Sequence, residues 1–196
     1  MKHQNVSHLL LSVVTLSVLA FLAGCGQPPE QEMAAARQAV QEAADNPDVA
    51  RYAPDTLSQA EGLLSEMEAA AEAGENDSAR SLAQEAVDTA EAAVEEAGTA
   101  KSRARQDAES AVAAARSSLE EARNALQDAR DVQGIELTFS AARGELASAA
   151  EAISAAETRL QDEEFADAEN RASDARSTIS AVTRRVSKGV QAAIGK

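Results

Sequence analysis

The side chains able to do chemistry are few, and they lie near the two ends of the chain and at one internal turn. The only cysteine is Cys25 and the only histidines are His3 and His8. A thiol is a nucleophile and a site of acylation. Imidazole is the usual general base near neutral pH and the commonest metal ligand. Asp162, Glu163 and Glu164 form an internal carboxylate group, the residue type of carboxylate acid–base pairs and of calcium sites. The last residue, the amine-bearing Lys196, follows a basic patch of Arg184, Arg185 and Lys188.

Cys25 is defined by the segment in front of it. Lys2 precedes a largely apolar run over 9–22, and Ala23 and Gly24 then lead into the thiol. A positive start, an apolar centre and small residues at the end make a secretory signal peptide. Fourteen residues fall short of the roughly 20 that a membrane-spanning helix needs, so the segment reads as an export signal. Leu22-Ala23-Gly24-Cys25 resembles the lipobox of bacterial lipoproteins. That resemblance implies cleavage between Gly24 and Cys25 and a diacylglyceryl group on the Cys25 sulfur. Gly26, where an Asp would resemble an inner-membrane retention signal, favours the periplasmic face of the outer membrane.

Removal of residues 1–24 takes away Lys2, His3 and His8. The remainder carries 17 basic and 33 acidic side chains, a formal −16, and no histidine or tryptophan. A Cys–His or Ser–His pair and a zinc site of the usual ligands are then excluded. No catalytic, cofactor-binding or metal-binding residue is expected, and the Asp162-Glu163-Glu164 carboxylates read first as a solvated turn. The acidic balance argues against nucleic acid and anionic lipid as partners.

The elements behind these residues are helical. From Gln31 onward the chain is Ala-rich, with Glu, Asp, Arg and Gln interleaved, all favourable or tolerated in helices. The last 142 residues contain no proline, and no stretch alternates like a strand. The fold class is therefore all-α: elongated antiparallel hairpins or a coiled-coil-like bundle, two repeats joined by a long helix. Punctuation predicts a helix over 29–44 broken by Asp45-Asn46-Pro47-Asp48, and a second from Pro54 to near Gly74. A third is predicted from an Asp77 cap, a fourth after Gly134, and a fifth from the 161–163 turn to about Lys188. An apolar stripe from Leu82 to Ala129 recurs every 3.6 residues on average, which predicts one continuous, nearly straight helix over 77–131. Gly98 would cost that helix only about 1 kcal/mol. An Ala-dominated core predicts a slender fold with no room for a sizeable cavity.

Ala60-Glu61-Gly62-Leu63-Leu64 matches Ala142-Arg143-Gly144-Glu145-Leu146 ahead of each hairpin, and Ala79, Ala83 and Ala86 match Ala168, Ala172 and Ala175 after it. The offset grows from 82 to 89 residues. Seven residues are two helical turns shared between two arms, so the apolar faces stay in register. The organisation read from the sequence is a signal peptide at 1–24, a lipidated Cys and tether at 25–30, a helical hairpin region at 31–98, a longer helical region at 99–190, and a tail at 191–196.

The stretch from Ala50 through Tyr52-Ala53-Pro54 to Ala60, with the Ala-rich repeat from Ala79 to Ala90, resembles a helical bacterial lipoprotein domain of unknown function, family 4398. The likeness covers about residues 34–97. The second half departs from it, with Thr138-Phe139-Ser140 where Tyr-Ala-Pro would be expected. Tyr52 is expected to pack across the hairpin and Pro54 to start a helix. The resemblance implies a lipid-anchored envelope protein and supplies no catalytic residue. The function expected is a non-catalytic scaffold or interaction protein held to the membrane through Cys25, with an envelope protein or a second copy as partner. The alternatives are attachment to peptidoglycan through Lys196 and, further off, a carboxylate-based enzyme or binding module.

Overall fold

A computed structural model describes residues 29–195. Among these residues there are six α-helices and no strand: α1 (Glu30–Ala44), α2 (Pro47–Tyr52), α3 (Pro54–Glu72), α4 (Asn76–Asp128), α5 (Phe139–Gln161) and α6 (Phe165–Ile194). A single 3-10 turn, Ala129–Asp131, follows α4. The chain divides into two compact units at residues 100 and 101, a boundary that falls inside α4. Among the described residues, no helix is long and apolar enough to cross a membrane.

In the first unit α1, α3 and the N-terminal part of α4 share one core. Met33, Ala36, Val40 and Ala43 of α1 meet Ala60 and Met67 of α3 and Ala83, Ala86 and Ala90 of α4. Small residues let the backbones approach, while Met67, fully buried, fills the space that alanines leave. Val49 and Ala53 pack with Ala93 and Ala97 in a second cluster, against which Tyr52 and Leu57 rest. Tyr52 is thus packed against α4, and Pro54 opens α3 at its first position, where its missing N–H costs nothing.

In the second unit the C-terminal part of α4 joins α5 and α6. Val112, Leu119 and Leu126 of α4 pack with Leu146 and Ile153 of α5 and Ile179, Val182 and Val186 of α6. The larger residues outnumber those of the first core. The long helix therefore serves as a core-forming member of each unit as well as their covalent link. Its predicted stripe is buried at Ala86, Ala90, Ala93, Ala97, Ala108, Ala115, Leu119, Ala122, Leu126 and Ala129.

The two hairpin turns are built alike. Gly74 adopts φ +78° and Glu163 adopts φ +59°, both left-handed. In the first, the Glu75 N–H donates to the Ala70 carbonyl at 2.8 Å and the Gly74 N–H to Ala71 at 3.0 Å. In the second, the Glu164 N–H donates to Arg159 at 2.9 Å and the Glu163 N–H to Leu160 at 3.3 Å. This is the Schellman arrangement that satisfies the last carbonyls of a helix. Gly74 and Glu163 are 89 residues apart, the offset that also relates Ala79, Ala83 and Ala86 to Ala168, Ala172 and Ala175. All six of those alanines are buried.

Four local expectations are corrected. The break at 45–48 contains the start of α2, because Asn46 caps it by accepting from the Asp48 N–H at 3.0 Å and Pro47 takes the first position. Asp77 is not the cap of the long helix. That helix begins at Asn76, the Glu75 carbonyl accepts from the Ala79 N–H, and Asp77 pairs with Arg80 one turn on. The fourth predicted helix starts at Phe139, because residues 132–138 are held in an irregular path. The last helix continues past Lys188 to Ile194, since Val190 still packs on the second core.

Candidate functional site

Gly24, Cys25 and the whole 1–24 segment, as well as Lys196, lie outside the described residues. The internal carboxylates are placed, and each engaged one has a structural duty. Glu163 pairs with Lys101 at 2.7 Å. Glu164 pairs with Arg159 at 2.7 Å, and Arg159 also reaches Asp167 at 3.1 Å, which binds Arg171 at 2.9 Å. These contacts tie α4 to the α5–α6 turn and link the two arms of the hairpin. Each is at least partly exposed to solvent and contributes about 0–1 kcal/mol. No group of three or more His, Cys, Asp or Glu side chains able to hold a metal ion occurs among the described residues.

The concave features lie instead near the far end of the second unit, where α4 ends, α5 begins and α6 runs out. After the 3-10 turn, Gly134 takes φ +77° and reverses the chain. Ile135 and Leu137 then turn inward onto the second core. Gly189 of α6 makes room for them: a Cβ there would lie 3.3 Å from Ile135 Cγ1 and 3.9 Å from Leu137 Cβ. The detour of this segment leaves an open cleft of about 510 Å³ lined by Leu137, Thr138, Glu136, Arg185 and Lys188 among others. Across α6 a second concavity of about 630 Å³ is lined by Ser118, Glu121, Ser180, Thr183, Arg184 and Ser187. The first cleft follows from residues 132–138 being non-helical.

The basic patch of Arg184, Arg185 and Lys188 is thereby divided between two surfaces. Arg185 is paired with Glu145 of α5, which ties the two helices of the hairpin together. Lys188 borders both clefts. The lining offers cations, hydroxyls and one carboxylate in each cleft, Glu136 and Glu121, but no histidine or thiol, so its chemistry is that of binding charged and hydrogen-bonding groups. Part of this was legible: beyond Asp174 the chain has five cations and no carboxylate, against a net −15 overall. The clefts were not, because the first depends on the path of residues 132–138 and the second on how α4 and α6 pack.

In the first unit the polar contacts also join helices. Arg37 of α1 pairs with Glu68 of α3 at 3.0 Å, and Arg80 of α4 reaches Glu32 of α1 at 3.1 Å. The Glu32 carboxyl is held below its ordinary range by a bond from its own backbone N–H in the first turn of α1, and then by Arg80.

No curated protein and no solved structure matches the chain. A family model, described as Domain of unknown function (DUF4398), matches residues 31–109. That span takes in the Tyr52-Ala53-Pro54 signature, the whole first hairpin and α4 beyond Gly98, and so extends past the 34–97 stretch on which the resemblance was read. Over residues 31–109 the chain is therefore similar to the DUF4398 family.

Proposed function

We propose that this chain is a lipid-anchored lipoprotein of the cell envelope, acting as a non-catalytic helical scaffold or interaction protein on the periplasmic face of the outer membrane. The observation that carries this reading is the order of Lys2, the apolar run over 9–22, and Leu22-Ala23-Gly24-Cys25. Two long acyl chains would hold such a protein to a bilayer by roughly 20 kcal/mol, at about 0.8 kcal/mol per buried CH₂. The absence of histidine beyond His8 leaves no neutral-pH general base of the usual kind. The exposed faces of the two helical units supply surface for a protein partner.

Mass spectrometry of the membrane fraction tests the anchor. An acylated Cys25 at the new amino terminus is expected, and Cys25→Ser should abolish both cleavage and acylation. Recovery of an uncleaved or unmodified chain would refute the reading. Crosslinking of the acylated protein in intact cells should trap a reproducible envelope partner or a second copy, and the absence of either argues against the interaction role. Deleting Lys196 should leave the material bound to purified cell wall unchanged; a loss would favour the wall-linked alternative.

A further inference from the structure

We propose that the cleft between the end of α4 and the start of α5 is a binding site for a phosphate group, carried either on a lipid headgroup or free in solution. Three arginines line this small concavity of about 210 Å³: Arg123 from α4, Arg130 from the 3-10 turn that follows it, and Arg143 from α5. Leu126 and Leu146, both buried, form its floor, and Gln127 adds an amide. No carboxylate lines it. Arg123 is bound on one side by Glu120 at 2.9 Å. Arg130 and Arg143 have no ion pair or side-chain hydrogen bond to any described residue.

Three arginines among the lining residues and no carboxylate give this cleft a positive wall that an anion would neutralise. Each guanidinium presents a planar fork that suits phosphate oxygens bidentately. The volume admits a phosphate and a few attached atoms but not a large organic ligand.

The position of Arg143 is informative in its own right. It lies in the second turn of α5, beyond the first turn in which the helix dipole acts most strongly. The first turn of α5 has no acidic residue, and its Thr138 cap makes no side-chain hydrogen bond. By contrast α1, α2, α3 and α6 each carry an acid in the first turn. Arg143 has no carboxylate partner on its own helix, and an anion in the cleft would meet its charge. Arg130, beside the C-terminus of α4, sits where the dipole favours a cation and needs no such explanation. The acidity of the whole chain does not forbid the site. Screening over about 8 Å at physiological ionic strength attenuates distant carboxylates, and the three arginines act from the cleft wall itself.

The test uses the full chain in detergent with two probes: inorganic phosphate by titration calorimetry, and phosphatidic acid vesicles against phosphatidylcholine vesicles by flotation. Saturable binding is expected in at least one arm, weakened tenfold or more in the Arg130→Gln/Arg143→Gln variant. Both residues are exposed, so circular dichroism should show unchanged helix content. An Arg103→Gln/Arg176→Gln variant removes the same charge elsewhere and should bind as the parent does. Binding of free phosphate identifies a soluble source, and binding of phosphatidic acid alone identifies a lipid source. The proposal is overturned if neither probe saturates, or if both variants lose binding equally. Preference for a glutamate-rich peptide over both phosphate probes would overturn it as well, since the cleft would then serve an acidic protein.

Discussion

The two hairpin turns share one backbone geometry but differ in the residue at its left-handed position, so paired substitutions there should have opposite signs. Gly74 occupies φ +78° with nothing within 4 Å of where a Cβ would stand. Gly74→Ala therefore tests backbone strain without a steric clash. A left-handed conformation costs a residue bearing a Cβ about 1–2 kcal/mol, and the smaller unfolded-state entropy of alanine offsets roughly 0.4–1 kcal/mol of that. The expected loss is about 0.5–1 kcal/mol. At Glu163, φ +59°, the reverse exchange should gain a similar amount, but the carboxylate also pairs with Lys101 at 2.7 Å. With 63% of the Glu163 side chain exposed, that pair contributes no more than about 1 kcal/mol. Comparing Glu163→Ala with Glu163→Gly removes the ion pair from both, leaving the backbone alone. The Gly variant should be the more stable by about 0.5–1 kcal/mol, or roughly 2–8 °C in the transition of a unit of this size. Urea and thermal unfolding followed by circular dichroism measure both. Equal stability of the two variants at 163, or a neutral Gly74→Ala, would refute the reasoning.

Three further predictions follow from packing and charge. Gly98 lies inside α4 with open space around it, so Gly98→Ala should stabilise the protein by about 0.5–1 kcal/mol in the same unfolding assay. Met67 and Ile179 are the largest fully buried side chains of the first and second cores, and truncating either to alanine should cost about 2–5 kcal/mol. Hydrogen exchange should show each loss concentrated in its own unit, and a uniform loss would contradict two separate cores. Because the Glu32 carboxyl is held low in the folded state, its contribution is present above the ordinary carboxylate range and is lost as pH falls through the folded value. Unfolding of Glu32→Gln measured against pH should accordingly converge with the parent at acid pH and separate from it near neutrality.

Helix identity was legible because it is a local property. Ala-rich sequence without proline beyond Pro54 leaves the backbone little alternative, and the stripe from Leu82 to Ala129 repeats at the helical period, so α4 could be traced whole. Turn positions were legible for the same reason: Gly74 and the Asp162-Glu163 polar cluster interrupt the apolar pattern. The caps were less so. Asn46-Pro47 is a helix-start signal that a break reading obscured, and Asp77 lost the cap to a backbone carbonyl because the helix could start earlier without it.

The sequence by itself determined the all-α class, the register of the two hairpins and the candidate lipid attachment at Cys25, since each rests on residues close together in the chain. Only the tertiary structure decided that α4 serves two three-helix cores, that residues 132–138 are drawn inward by Ile135 and Leu137 against Gly189, and that Arg130 and Arg143 face a common cleft. These facts join residues distant in sequence. Periodicity specifies which face of a helix is apolar, but which faces meet, and which charges are brought together at their rims, is set by how the helices pack.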